Sequence, residues 1–155
     1  MPQKLLTYLF LFLGMFTYSQ VVINEIDADN PGNDVYEFVE LKSSTPNFPL
    51  DGYVLVFFND SNSSSYYTFD LDGFVTDING IIHFGNVAVT PAPVGIIPNN
   101  KIQNGPDVVA LYLGNDSDFP YTSSSGTLAT LTNLVDAVAY SNHNTNVATN
   151  LMAIL

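Results

Sequence analysis

Short runs rich in Val, Ile, Tyr and Phe recur along the chain between clusters of Asn, Asp, Gly and Pro. That pattern predicts many short strands joined by turns. About eight or nine strands are expected, over 21–26, 35–42, 53–58, 66–71, 81–85, 94–97, 108–113, 134–140 and 151–155. The run Tyr53-Val-Leu-Val-Phe-Phe58 is apolar throughout, as in a strand covered on both faces, whereas Tyr66-Tyr-Thr-Phe-Asp-Leu71 mixes polar and apolar residues like a half-exposed one. Asp51-Gly52, Asp72-Gly73, Asn79-Gly80 and Asn104-Gly105 can each supply the positive φ of a tight turn. No stretch of helical length carries a 3.6-residue apolar period, and Pro91, Pro93, Pro98 and Pro106 break the middle of the chain. The Ser-rich stretches 60–65 and 122–127 read as solvated loops. The predicted fold class is all-β, a sandwich of two antiparallel sheets.

The two ends depart from this pattern. At the front, Lys4 precedes an apolar run over 5–16, and Thr17-Tyr18-Ser19 puts small residues where a signal peptidase reads. A secretory signal peptide over 1–19 is predicted, with Gln20 as the new terminus; the alternative is an uncut membrane anchor. No later apolar stretch is long enough to span a bilayer, so a secreted or cell-surface location follows. At the other end, Leu151-Met-Ala-Ile-Leu155 is apolar to its last residue. That suggests a domain over 20–155 truncated from something longer.

Composition sharpens the picture in two ways. With 46% hydrophobic and 13% aromatic residues the domain can build a large core, which argues against disorder. That core is needed, because an exported chain without cysteine has no disulfide to support it. Charge is lopsided, with 15 Asp plus Glu against 3 Lys plus Arg, and only Lys42 and Lys101 stay once Lys4 leaves with the signal. Such a surface repels phosphate backbones and anionic membranes, so direct nucleic-acid binding is not expected. It also keeps an exported protein soluble.

Four segments in register, Val22-Ile-Asn-Glu-Ile26, Tyr36-Glu-Phe-Val-Glu-Leu41, Leu50-Asp-Gly-Tyr53 and Ile102-Gln-Asn-Gly-Pro-Asp-Val-Val-Ala-Leu-Tyr112, resemble a bacterial lamin tail domain (LTD). The resemblance covers nearly all of the mature chain. It implies an immunoglobulin-like β-sandwich, and an interaction or targeting role of the kind such domains play beside exported nucleases, phosphatases and sorting tails. One departure stands out. Similar domains tend to carry an Asp-rich stretch after the strand matching 134–140, whereas Ser141-Asn-His-Asn-Thr-Asn146 is neutral here, which removes support for an acidic function there.

Candidate chemistry is sparse. Glu25, Glu37 and Glu40 lie inside core-like runs, and a buried carboxylate is costly unless paired or hydrogen-bonded. They are expected to face solvent or to hold a loop through backbone N–H groups, not to act as an acid and base. Tyr66 and Tyr67 are the aromatics a carbohydrate cleft could use, although the chain has no Trp. His83 alternates with Ile82 and Phe84, which puts it at a surface or a sheet edge. His143 faintly resembles the His-Asn pairs of some nucleases but has no second histidine or basic phosphate clamp to work with. There is no nucleophile elbow, zinc-peptidase helix motif, phosphate loop or Cys pair, so no catalytic or cofactor-binding residue is predicted.

The remaining constellation is Asp27-Ala-Asp29-Asn-Pro-Gly32-Asn-Asp34, between the first two strands. Hard oxygen ligands so spaced suit calcium, which makes Asp27, Asp29 and Asp34 the candidate metal ligands, though the full EF-hand loop pattern is missing. Asp70-Leu-Asp72-Gly73 through Asp77 is a second acidic stretch. The plainer reading of both is Asx turns. The expected function is that of an exported, non-catalytic interaction module whose partner is a protein or a cell-surface polysaccharide. Two alternatives remain: an accessory domain of an extracellular nuclease or other hydrolase whose catalytic part lies beyond residue 155, and a carbohydrate-binding sandwich.

Overall fold

The structure, a computed structural model, describes residues 20–142 and 147–155; the predicted signal peptide and His143 lie outside them. The described residues form eight strands: β1 (Val21–Asp27), β2 (Phe38–Ser43), β3 (Tyr53–Asn59), β4 (Ser64–Asp70), β5 (Ile81–Gly85), β6 (Gly95–Ile96), β7 (Asp107–Leu113) and β8 (Leu134–Tyr140). A 3₁₀ turn covers Asp116–Asp118 and one short helix, α1, covers Thr149–Met152. The strands build two four-stranded sheets, ordered β1-β2-β5-β6 and β4-β3-β7-β8. The protein is thus an all-β sandwich. All pairings are antiparallel except β5 with β6, which is parallel.

Period-two alternation explains why β3 is apolar throughout. Leu55 and Phe57 face the other sheet and join Val109 and Leu111 of β7, Leu41 of β2 and Phe84 of β5 in the core between the layers. Val54, Val56 and Phe58 face outward, where they meet Val108, Ala110 and Tyr112 and are roofed by Phe119, Ala148 and Leu151. Both faces of β3 are therefore dry. The open edges of β1 and β8 meet as well: at the bulge in β1 the Ile23 N–H, turned out of the ladder, donates to Asp136 Oδ2 at 2.8 Å.

Three expectations need correction. The strand predicted over 151–155 is α1 and its flank, because the apolar tail lays Leu151 on the outer face of the second sheet instead of extending it. Strand β6 shrinks to two residues, flanked by Pro93 and Pro98, which have no N–H for a longer ladder. The stretch 60–65 is not a solvated loop throughout, since Asp60, Ser64 and Ser65 are buried. Turn chemistry fares better: Gly52, Gly73, Gly80 and Gly105 all have positive φ, from 74° to 81°. Among the described residues no helix is long and apolar enough to cross a membrane.

Candidate functional site

The ends of β1, β3, β5 and β8 and the starts of β2, β4 and β7 meet at one end of the sandwich. Segments 28–37, 60–63, 86–94 and 97–106 surround that end and bring to it Asp27, Asp29, Asp34, Glu37, Asp60 and Asp107. This acidic pole is the candidate site.

Glu37 lies at its centre. The residue is fully buried, and neither carboxylate oxygen has a hydrogen-bond partner. Asn86 holds its main chain: the Glu37 N–H donates to Asn86 Oδ1 at 2.8 Å, and the Asn86 N–H donates back to the Glu37 carbonyl at 2.9 Å. The nearest donors to the carboxyl are the Asn86 amide and the Asn100 backbone N–H, and neither reaches bonding geometry. One of the two N–H groups of that amide goes to Ile97 O at 3.1 Å. Loss of water first, and the charges of Asp34 and Asp27 after it, push the Glu37 carboxyl up to about 7.

A second buried carboxyl sits at the start of β7. Asp107, 2% exposed, accepts the Asp60 N–H at 3.0 Å. Burial pushes it up to about 6, and the nearby Asp60 charge adds to the rise against the relief from that hydrogen bond. Asp60 in turn reaches the C-terminal segment, its Oδ1 accepting the Leu151 N–H at 2.9 Å while its carbonyl takes the Asn150 amide at 3.0 Å. Helix α1 has no cap of its own, because Ala148 at its N-cap offers no oxygen. Asp60 supplies that cap from across the chain.

Between these elements lies a cleft of about 370 Å³ lined by Asn59, Asp60, Ser61, Gln103, Asn104 and Asp107. Asn59 Nδ2 donates to Gln103 Oε1 at 2.7 Å across it. Gly105, with a φ of 74° and a Cβ position only 2.8 Å from Tyr140 O, lets the floor pass close under β8. Amides, a hydroxyl and two carboxylates give this cleft the means to bind hydroxyl groups or cations by hydrogen bonds. A larger concavity, about 490 Å³, lies at the opposite end beside Val22 and Lys42. Gln20, Ser43, Ser44, Thr45, Pro46 and Asn79 complete its lining.

The structure divides the predicted calcium ligands. Asp27 and Asp34 both bind Asn30, through its side-chain amide and its backbone N–H respectively, each at 3.1 Å. Asp29 turns the other way and accepts from Asn104 at 3.1 Å. Among the described residues no group of three His, Cys, Asp or Glu side chains stands where it could hold a metal ion. The second acidic stretch forms Asx turns: Asp70 accepts the Asp72 N–H, and Asp77 accepts those of Asn79 and Ile81.

Tyr66 and Tyr67 do not form an open aromatic platform. The Tyr66 hydroxyl lies 3.2 Å from that of Tyr140 and accepts the Gln103 N–H, while Tyr67 is 9% exposed, with the Lys101 ammonium 5.6 Å from its ring centre. Glu25 is exposed and Glu40 accepts from Asn24, both within the roles expected. His83 sits half-buried on the outer face of its sheet, bonded to Pro91 O at 2.9 Å.

Sequence reasoning missed Asp60 and Asp107 and gave Glu37 the wrong company. A signal existed for Asp107, the polar residue that opens an otherwise apolar strand run, but nothing local showed that β3 and its turn would cover it. No protein-family model matches the chain, and no curated protein matches it.

Proposed function

We propose that the chain is an exported, non-catalytic interaction module of the lamin-tail type, with an immunoglobulin-like arrangement of its two sheets, that engages its partner through the acidic pole. The observation that carries this reading is the cleft between Asn59–Ser61 and Gln103–Asp107, a polar recess set at one end of a rigid sandwich where several loops converge. Its lining favours a cell-surface polysaccharide or a polar protein surface, and the negative charge of the whole chain disfavours nucleic acid. The family reading is supported by the four resembling segments, which fall on β1, on β2 and its approach, on the turn into β3, and on β7 and its approach.

The test uses an array of bacterial glycans with the secreted protein and with Asn59→Ala/Gln103→Ala, which removes the two amides paired across the cleft. The reading expects binding by the parent protein and at least a tenfold loss in the double variant, the magnitude of two hydrogen bonds of about 1 kcal/mol each. Binding that ignores the substitution would move the site elsewhere. Hydrolysis of DNA, phosphoesters or glycans by the purified protein would replace the module with an enzyme.

A further inference from the structure

Glu37 is held by its main chain at a fully buried position, and neither oxygen of its carboxyl has a hydrogen-bond partner. Asn86 holds both its N–H and its carbonyl, and β5 closes on it from the side: a Cβ on Gly85 would come within 2.6 Å of the Glu37 carbonyl and 2.7 Å of Phe38 Cβ. The titratable groups around the carboxyl are Asp27 at the end of β1, Asp34 in the loop between β1 and β2, Tyr66 on β4 and Tyr140 on β8. Asp107 adds to the acidity around the two tyrosines. Asn86 and Asn100 contribute only neutral dipoles. Neither lysine of the described residues answers it: Lys42 donates to Asn79 O at the other end of the sandwich, and Lys101 stands over the Tyr67 ring.

An ionised carboxylate in this setting has neither water nor a donor and faces like charge, the costliest arrangement for such a group. A proton removes both costs. We propose that Glu37 is a proton-operated lock on the acidic pole: with a proton on its carboxyl the elements packed around it stay closed, and ionisation loosens them. This goes beyond the binding role above and holds whatever partner the pole takes.

The direction follows from proton linkage. When the pole opens, the carboxyl meets water and regains its ordinary acidity near 4.5, whereas closed it titrates near 7. Opening therefore releases a proton between those two values, and the opening constant rises up to about tenfold per pH unit across that window. Above it both forms are ionised and the constant levels off. Asp107, pushed up to about 6, adds a slope of its own below that pH. The interval from pH 6 to 7 thus belongs to Glu37.

The test is amide hydrogen exchange of the purified protein from pH 5 to 8, each rate divided by the intrinsic rate at that pH. Reporters are the N–H groups of Asn30, Tyr36, Glu37 and Asn86, all hydrogen-bonded in the closed pole. The lock predicts that their opening constants rise severalfold between pH 6 and 7 in the parent and stay flat there in Glu37→Gln. Identical profiles in the two proteins would overturn it. Should Glu37→Gln fail to fold, Asp34→Asn serves instead. Removing that charge must move the upper end of the window to lower pH, and an unmoved profile contradicts the lock.

Discussion

At the end of the sandwich formed by turns 44–52 and 71–80, every carboxylate of the turns faces backbone N–H groups. Asp51 accepts the N–H of Gly73 at 2.7 Å and Asp72 that of Gly52 at 2.6 Å, so two turns distant in sequence hold each other, while Asp77 takes two N–H groups of its own turn. Those bonds hold the Asp77 carboxyl below its ordinary range. At the acidic pole, burial outweighs donation: Glu37 finds no donor, and Asp107 has one but lies in a dry site beside Asp60. The same functional group is a turn-forming device where it stays wet and a proton-holding one where it is covered. What separates the two ends is the supply of N–H groups. Tight Asp-Gly and Asn-Gly turns expose several, whereas at the acidic pole the Asn86 side chain and backbone occupy both backbone groups of Glu37 and leave its carboxyl none.

The comparison breaks most readily at the tail that leans on the acidic pole. Leu151→Ala should cost about 2–5 kcal/mol in urea unfolding, because Leu151 is fully buried against the outer face of β3 and β7. Leu131→Ala, at the far end and 66% exposed, should change stability by less than about 0.5 kcal/mol. Equal effects would mean that α1 is not docked as described.

Replacing a carboxyl by its amide should then change stability with opposite signs at the two ends. At pH 8, Glu37→Gln is expected to stabilise by about 1–3 kcal/mol, since it removes a buried charge without a donor. The gain should shrink as the pH falls from 7 towards 4.5, where Glu37 becomes neutral by itself. Asp77→Asn should destabilise near neutral pH, and that loss should fade in acid as the parent carboxylate is protonated. Thermal unfolding of both variants at several pH values checks the signs.

Asp60→Ala should have the smallest measured effect at the acidic pole, about 1 kcal/mol, the usual worth of a helix cap. Faster exchange at the Leu151 N–H, with the strand amides of β1 and β2 unaffected, would identify the loss as local. A uniform loss across the sheet would contradict the capping role.

Much of the fold was legible because it rests on local chemistry. Alternation located the strands, and 81–85 and 134–140 match β5 and β8 residue for residue; Asp-Gly and Asn-Gly pairs located the turns. The tail was misread because an apolar run of its length fits a strand or a short helix equally well, and only the uncovered face of the second sheet decides between them. The site was less legible still. That Asp60 would meet Leu151, and Asp107 the Asp60 N–H, depends on contacts spanning 91 and 47 residues. Glu37 reads in sequence like Glu40 three positions on, yet Glu40 accepts a bond from Asn24 while neither oxygen of Glu37 has a partner.

The claim that the two ends treat their carboxylates differently is tested most directly by carbon-detected NMR titration of the side-chain carboxyls. The Glu37 carboxyl should titrate with a midpoint near 7, and that of Asp77 below the ordinary aspartate value of 3.8. A Glu37 midpoint near 4.5 would show that its carboxyl meets water or a donor, and the distinction between the two ends would fall with it.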